Sequence, residues 1–257
     1  MHGHRGARAM RPENTLPGFE YAISVGVDAL EMDVAVTRDD VVVVSHDPKF
    51  NPAICKSPTG PRTIHELTLS ELAQWDCGAL RNRRFPRQTP IPGARIPTLD
   101  QVLALADRGS FRFNIEIKSF PERPGLTPPP ERFSELVWQA IRRRRLERRV
   151  IVQSFDFRTL HAMRRLAPEI RIAALYVGAP KTFASIAHKA GADIVAPYHA
   201  LVTPRRVDAA HIAGLEVVPW TPNRPRDWKR LVAAQVDGII TDDPGALLEY
   251  LRGRGLH

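Results

Sequence analysis

Eight short apolar segments, each followed by a stretch with helical spacing, predict an α/β protein, a TIM (β/α)8 barrel with a small insertion after the second strand. The chain has 257 residues, close to the roughly 250 typical of such barrels, although length alone also allows two small domains. Polar residues follow several apolar segments at their carboxyl ends, and in a TIM barrel that end is the catalytic face. We therefore expect residues 1–257 to form a single catalytic domain.

The predicted elements alternate along the chain. The eight strands are short apolar or β-branched runs at His2–Gly6, Asp28–Thr37, Arg112–Lys118, Val150–Gln153, Ile172–Tyr176, Asp193–Ala196, Glu216–Trp220 and Gly238–Thr241. Helical spacing of apolar residues predicts helices at Asn14–Val25, Leu99–Asp107, Arg132–Arg145, Phe157–Ala167, Lys181–Ala190, Pro204–Ala213, Pro225–Ala234 and Pro244–Arg252. A further short run, Val41–Ser45, is predicted to pair with the second strand.

The alternation stops between residues 50 and 97. This stretch is rich in Pro, Thr and Arg and has one helix signal, at Ser70–Trp75, so we interpret it as an insertion within the barrel. Trp75 is expected to belong to the core of that small unit. A second irregular stretch, Phe120–Pro130, is dense in proline and cannot continue a strand or a helix. Because both stretches follow strands, we expect both to overhang the catalytic face.

Composition limits the classes of function. The apolar fraction of 43% and the charged fraction of 25% are those of an ordinary globular protein. No apolar run approaches the roughly 18 to 20 residues that a membrane helix needs. The chain opens into a predicted strand with no basic-then-apolar leader, so we expect a cytoplasmic protein without membrane insertion. Cys55 and Cys77 do not make a disulfide framework, and we interpret them as free thiols.

The net charge of +9 favours anionic partners such as phosphates, nucleic acid or acidic lipid headgroups. The excess is almost all arginine and is scattered along the chain. Its one dense run, Arg142–Arg149, ends a predicted helix, where the helix dipole favours cations. No recognised nucleic-acid-binding motif accompanies this run. We therefore expect a solvated arginine-rich face rather than specific nucleic-acid binding.

Carboxylates stand near the ends of two predicted strands in a pattern that indicates a site. Glu31 and Asp33 are two residues apart in one strand, so their side chains share a face, and Glu116 and Lys118 repeat the arrangement. Burying so many charges is costly unless they are paired or bind a metal. Taken alone, the Glu116–Lys118 pair is more typical of a buried ion pair. Three carboxylates together form an all-oxygen site, which suits Mg²⁺, Ca²⁺ or Mn²⁺ better than zinc.

A series of segments in chain order resembles the signature of the glycerophosphodiester phosphodiesterase family. These segments are His4–Gly6, Pro12–Thr15, Glu31–Asp33, His46–Asp47, Glu116–Lys118, Val217–Asn223 and Gly238–Pro244. The resemblance runs over nearly the whole chain and implies a TIM barrel that hydrolyses glycerophosphodiesters to glycerol 3-phosphate and an alcohol. Two positions depart from the pattern. His2 stands where an apolar residue is usual, and Pro222 interrupts the turn that contains Trp220.

The same resemblance implies roles for individual residues. It implies one divalent cation held by Glu31, Asp33 and Glu116, an acid–base pair of His4 and His46, and two cations, Arg5 and Lys118, that neutralise the phosphate. The residue types suit this chemistry, because a metal with Arg and Lys offsets the charge of a small-molecule phosphodiester. Histidine gives or takes a proton near neutral pH. The residues do not assign the two roles; we favour His46 as the acid, because it follows the strand nearest the insertion expected to hold the alcohol.

Other polar residues have a plain structural interpretation beside a functional one. Trp220 stands at a strand end, which favours packing against the glycerol moiety over ordinary core packing. Asn14 is expected to cap the first helix and Glu13 to favour its N-terminus. Gln153 is equally consistent with a substrate contact and with a polar network inside the barrel. Four histidines are expected to be structural or exposed, without acidic neighbours: His161, His188, His199 and His211.

Two other functions stay open. The same site could cleave a lysophospholipid or a sugar phosphodiester, because specificity lies in loops and not in the fold. Alternatively, the chain could be an anion-binding barrel without turnover.

Overall fold

Parallel strands form a closed ring in the computed structural model, which describes residues 1–58, 60, 62–179 and 181–256. Its strands are β1 (His2–Gly3), β2 (Ala29–Val36), β3 (Val42–Val44), β4 (Arg112–Ile117), β5 (Val150–Ser154), β6 (Arg171–Tyr176), β7 (Ile194–Pro197), β8 (Glu216–Val217) and β9 (Ile240–Thr241). The hydrogen-bonded order is β8-β7-β6-β5-β4-β2-β1-β9, all parallel, and β3 pairs antiparallel with β2. A bridge between Trp220 and Ile240 joins the two ends of this order. The prediction of an eight-stranded TIM barrel is confirmed.

Helices follow the strands and cover the outside of the ring. They are α1 (Leu16–Val25), α2 (Leu69–Leu72), α3 (Leu99–Leu103), α4 (Pro130–Arg143), α5 (Phe157–Leu166), α6 (Phe183–Ala190), α7 (Pro204–Ile212), α8 (Pro225–Ala233) and α9 (Pro244–Arg252). Several begin after a Thr or Asp whose side chain accepts a hydrogen bond from the first turn, as Thr15 does from the Gly18 amide. None of the helices in the described ranges is long and apolar enough to cross a membrane.

Alternation along the strands separates the core from the interior of the ring. Leu30, Met32 and Val34 of β2 belong to the large apolar cluster between the strands and the helices. Glu31 and Asp33, at the intervening positions, point to the other face. The lower part of the interior is closed by a small apolar cluster from five strand positions or their flanks: Ile151, Ala173, Ile194, Val218 and Ile240. The carboxylates therefore stand above an apolar floor.

The chain between β3 and α3 has its own buried cluster. Trp75 is 1% exposed and packs in a cluster with Ile64 and Leu72 that also includes Ala35 of β2 and Val43 of β3. The insertion bounds of 50–97 stay a prediction, and positions 59 and 61 within them lie outside the described residues. The interpretation of Cys55 and Cys77 as free thiols is wrong, because the two sulfur atoms form a disulfide bond. The partners are 22 residues apart in a stretch without regular periodicity, so no pattern in the sequence pairs them.

Candidate active site

Three carboxylates meet at the carboxyl ends of β2 and β4. Asp33 stands directly beside Glu116 in the register of the two parallel strands, and Glu31 lies two residues before Asp33 on the same face. One carboxylate oxygen from each of the three residues lies within 4.8 Å of the others. All three residues are buried, with at most 7% of their surface exposed. The structure therefore brings together the three acids that the sequence singled out.

Glu31 is held by hydrogen bonds to both of its oxygens. The backbone amide of Arg5 donates to Oε2 at 2.8 Å, and Nε2 of Gln153 donates to Oε1 at 2.9 Å. The first bond depends on a tight turn after β1, where Arg5 (φ 50°) and Gly6 (φ 85°) both adopt left-handed backbone conformations. Gly3 must also be small, because a Cβ there would lie 2.2 Å from the carbonyl oxygen of Gly6. This turn also ends β1 earlier than predicted.

Asp33 has one oxygen that is paired and one that is not. Its Oδ2 accepts a hydrogen bond from Asn14 Nδ2 at 3.0 Å and lies 3.1 Å from Arg5 Nε. Its buried Oδ1 accepts no hydrogen bond from the described residues, although Lys118 Nζ is 3.8 Å away. Lys118 Nζ donates instead to Glu116 Oε1 at 3.0 Å. A buried carboxylate oxygen without a partner beside two further carboxylates fits a divalent cation that accepts oxygen ligands.

Burial works against negative charge on two of the three carboxylates. Burial, together with the neighbouring acids, raises the pKa of Glu31 well above its usual value. Burial also raises the pKa of Glu116, although Lys118 opposes that shift. Burial is the largest influence on Asp33 and opposes its ionisation, but nearby positive charges, Arg5 first, and the Asn14 hydrogen bond together hold the pKa of Asp33 low. A bound cation would favour the ionised form of these carboxylates and so oppose the effect of burial.

His4 follows β1 and is paired with a carboxylate from the other end of the chain. Its Nδ1 lies 2.5 Å from Oδ1 of Asp242, just after β9, and its Nε2 lies 3.9 Å from Oε2 of Glu31. Asp242 also accepts hydrogen bonds from Arg8 Nε at 2.6 Å and from Asn223 Nδ2 at 2.7 Å. Because a carboxylate can only accept, Nδ1 of His4 carries the proton, and Nε2 is the atom available for proton transfer. Burial lowers the pKa of His4 to about 4, although Asp242 opposes the shift.

His46, which follows β3, has the same kind of partner. Its Nδ1 lies 2.7 Å from Oδ1 of Asp47, whose Oδ2 accepts a hydrogen bond from Asn51 at 2.6 Å. The side chain of His46 is 32% exposed, whereas that of His4 is 11% exposed. Two histidines, each with a carboxylate on Nδ1, therefore border the site, one deep and one near the surface.

A cavity of about 250 Å³ connects these groups. Both histidines, Arg5, Lys118 and the acids Glu31 and Glu116 line it. Its far wall is apolar and is formed by Phe155, Leu175 and Trp220. The Trp220 indole donates to the Ala196 carbonyl at 2.9 Å, and its ring packs edge-on against Phe155 at 5.5 Å. Trp220 thus stands in the wall of the cavity rather than among the helices.

Several neighbouring residues differ from the predictions. Asn14 does not cap α1, because Thr15 does so and Asn14 bonds Asp33 instead. Glu13 pairs with Arg5 at 2.6 Å. His2, which departs from the family pattern, is buried in β1 between β2 and β9.

Three further polar residues have partners that the sequence did not assign. Gln153 bonds both Glu31 and Asn114, with Asn114 Nδ2 3.1 Å from Gln153 Oε1. The polar-network interpretation of Gln153 therefore describes its contacts. His211, expected to lack acidic neighbours, lies 2.9 Å from Asp237 Oδ2, and neither residue lines the cavity. The partnership of Asp242 with His4 joins the two ends of the chain and was not predicted, because only barrel closure makes them neighbours.

The fold and the site together define a class. At the carboxyl end of a TIM barrel, carboxylates that could hold a metal, two cations and two carboxylate-paired histidines border one cavity, and this arrangement suits metal-assisted chemistry on a phosphate.

Comparison with known proteins gives the family. The profile of the glycerophosphoryl diester phosphodiesterase family matches residues 4–246. A glycerophosphodiester phosphodiesterase of Caldanaerobacter subterraneus subsp. tengcongensis is 33% identical over 98% of this chain and 97% of its own. The chain therefore belongs to the glycerophosphoryl diester phosphodiesterase family, which confirms the resemblance found in the sequence.

Solved structures agree with this assignment. A proposed glycerophosphoryl diester phosphodiesterase from Silicibacter pomeroyi DSS-3 is 35% identical, with a TM-score of 0.92 over 99% of this chain and 93% of that chain. An Oleispira antarctica phosphodiesterase, solved in complex with the product sn-glycerol-3-phosphate, has a TM-score of 0.82 at 20% identity, covering 98% of this chain and 96% of its own. The second likeness shows the barrel fold alone.

Proposed function

We propose that this protein is an enzyme that hydrolyses glycerophosphodiesters to glycerol 3-phosphate and an alcohol, with one divalent cation as cofactor. The observation that carries the proposal is the convergence of Glu31, Asp33 and Glu116 within 4.8 Å. Glu31 and Glu116 of this cluster line a cavity together with two histidines and two cations. Family membership supports the reaction class. The Oleispira antarctica structure, which holds sn-glycerol-3-phosphate, supports a small-molecule product of the proposed kind.

Glu31, Asp33 and Glu116 would hold the cation. Their all-oxygen donor set suits Mg²⁺, Ca²⁺ or Mn²⁺. When bound, the cation would supply Lewis-acid stabilisation of the negative charge that develops on the phosphate oxygens.

Arg5 and Lys118 offset the charge of the phosphodiester. The side chains of both residues are mostly buried, at 11% and 14% exposed, so little water screens them from a phosphate in the cavity. Arg5 is fixed by Glu13 and Asp33, and Lys118 by Glu116. This fixed arrangement suits a transition state more charged than the substrate, because the donors need no reorganisation during the reaction.

The two histidines divide the proton transfers. His4, deep in the cavity and fixed through Nδ1 by Asp242, takes the proton of the attacking water at Nε2 as the new P–O bond forms. His46, nearer the surface and fixed by Asp47, gives a proton to the alcohol oxygen as the old P–O bond breaks. Trp220 packs against the glycerol moiety from the apolar wall of the cavity.

The test is a panel of glycerophosphodiesters incubated with Mg²⁺, Ca²⁺ and Mn²⁺ in turn, with release of glycerol 3-phosphate measured enzymatically. We expect release with at least one metal. Choline, ethanolamine, inositol and lysophospholipid diesters in the panel identify the alcohol and separate the two alternative substrates. If no diester is cleaved with any metal while calorimetry shows tight binding of glycerol 3-phosphate, the chain is an anion-binding barrel and the proposal is wrong.

A cytoplasmic location, with a role in glycerol and lipid metabolism, stays a prediction. The disulfide between Cys55 and Cys77 weighs against it, because such bonds persist in oxidising compartments and are rare in the cytosol. The test is to alkylate free thiols in intact cells before purification and then to determine whether Cys55 and Cys77 were modified. Two blocked thiols agree with the cytoplasm, and an intact disulfide contradicts it.

A further inference from the structure

A second and larger cavity, of about 490 Å³, lies beside the candidate active site. Its two walls are the segments 47–52 and 119–123, together with Leu126, and we call this cavity the side groove. Its volume falls in the range of about 300 to 1,000 Å³ that small-molecule sites occupy. None of the roles proposed above uses its walls except that of Asp47, which fixes His46.

The side groove adjoins the active-site cavity. His46 and Lys118 line the active-site cavity, and the very next residues along the chain, Asp47 and Ser119, line the side groove. Asp47 also bonds His46 directly. The apolar wall with Trp220 lines the active-site cavity and none of the side groove. A diester with its glycerol moiety at that wall and its phosphate near Lys118 therefore sends its alcohol past His46 into the side groove.

The lining of the side groove is mainly apolar. Its apolar side chains are Pro48, Phe50, Pro52, Phe120, Pro121 and Leu126. Phe50 is anchored from behind, with its ring edge-on to the buried Trp75 at 5.0 Å. The polar groups nearest the active site already have partners, since Asn51 donates to Asp47 and Ser119 donates to Asp156. The charged lining residues Lys49, Glu122 and Arg123 are exposed.

We infer that the side groove binds the departing alcohol and favours one with an apolar body, such as an alkyl or aryl chain, over a small polar alcohol such as ethanolamine. The inference rests on the proposed function. A small polar alcohol leaves the apolar walls in contact with water, whereas an apolar chain removes that surface from water and gains the hydrophobic contribution. Polar groups on the alcohol gain little close to the active site, because Asn51 and Ser119 there are already paired.

The test uses glycerophospho esters of methanol, butanol, hexanol and octanol, whose basicity hardly changes along the series. We expect kcat/KM to rise about threefold to fourfold for each added methylene group until the side groove is full, which is the contribution of about 0.8 kcal/mol per buried methylene expressed as a rate ratio. A flat or falling series overturns the inference. Cleavage of the methyl ester alone already supports the proposed function, so the two claims fail separately.

Two variants locate the effect. Phe120→Ala removes part of the apolar lining of the side groove. It should lower kcat/KM for the octyl ester about tenfold, while kcat/KM for the methyl ester stays the same. Phe155→Ala, the matched control in the apolar wall of the active-site cavity, should change the methyl and octyl ester rates by one common factor. A Phe120→Ala variant with an unchanged series overturns the inference.

A binding measurement covers the case in which no ester is cleaved. Calorimetric titration with hexyl phosphate and methyl phosphate then compares the two ligands directly. Tighter binding of hexyl phosphate that Phe120→Ala abolishes supports the side groove as an apolar subsite, and equal binding of both ligands overturns it.

Discussion

Replacing Gln153 by alanine tests how the interior of the barrel prepares Glu31 for a cation. Gln153 is 1% exposed, donates to Glu31 Oε1 at 2.9 Å and accepts from Asn114 at 3.1 Å. The substitution removes one of the hydrogen bonds that hold the Glu31 carboxylate and leaves space beside it. Glu31 then has more freedom, and its ionised form loses a donor.

The size of the effect follows from that one bond. A hydrogen bond to a charged group contributes about 1.5 to 3 kcal/mol. Because each 1.4 kcal/mol is tenfold in an equilibrium constant, affinity for the cation should fall about tenfold to hundredfold, the range usual for residues that orient metal ligands. The pKa of Glu31 gives the direction of the change in cation affinity. Burial already raises the pKa of Glu31, and loss of a donor to the carboxylate raises it further, so protons compete more strongly with the cation.

The assay is calorimetric titration of the chelator-treated protein with Mg²⁺, Ca²⁺ and Mn²⁺, supported by the rise in melting temperature with metal concentration. Gln139→Ala is the matched control, since Gln139 donates to Glu135 at 3.2 Å within α4, away from the site. The control should keep the affinity of the parent protein. A folded Gln153→Ala protein with unchanged metal affinity refutes the claim that Gln153 positions Glu31.

Three further predictions concern the histidines, their support and the disulfide. Alanine at His4 or His46 should slow cleavage of a natural diester by about 10² to 10⁴. On a p-nitrophenyl diester, whose leaving group departs unprotonated, only the His46 variant should recover activity. Equal losses of both variants on both substrates contradict the acid–base division. Asp242→Asn should slow turnover by about 10² or more, yet add little in a His4→Ala background, since Asp242 acts through that ring; additive losses in this double-mutant cycle contradict it. Serine at both Cys55 and Cys77 should lower the free energy of unfolding in denaturant by about 3 kcal/mol, because the bond joins residues 22 apart, and should leave metal affinity unchanged; equal stability of oxidised and reduced protein contradicts this estimate.

The sequence alone predicted the barrel and the position of the acids at its carboxyl end. Parallel strands carry a period of two, so Glu31 and Asp33 had to share a face, and barrel topology placed Glu116 at the same end. The helix starts were less well predicted where two capping residues adjoin. Asn14 and Thr15 both match the preference for a helix N-cap, and only the three-dimensional position of Asp33 decides that Asn14 turns inward.

Contacts between distant parts of the chain could not be predicted in this way. Asp242 and His4 are 238 residues apart, and they meet because β9 pairs with β1. The burial of His2 has the same cause, since the first strand is covered on both edges. The disulfide between Cys55 and Cys77 lies in a stretch whose conformation depends on packing around Trp75 rather than on a repeating pattern.

One measurement tests the central claim that the acidic cluster holds the cation that the reaction needs. Release of glycerol 3-phosphate from glycerophosphocholine is followed after exhaustive chelation, after return of Mg²⁺, Ca²⁺ or Mn²⁺, and again with Glu116→Gln. We predict no turnover after chelation, recovery with added metal, and weak recovery in Glu116→Gln that needs a higher metal concentration, because one ionised oxygen ligand is lost. Full turnover in excess chelator would contradict the account.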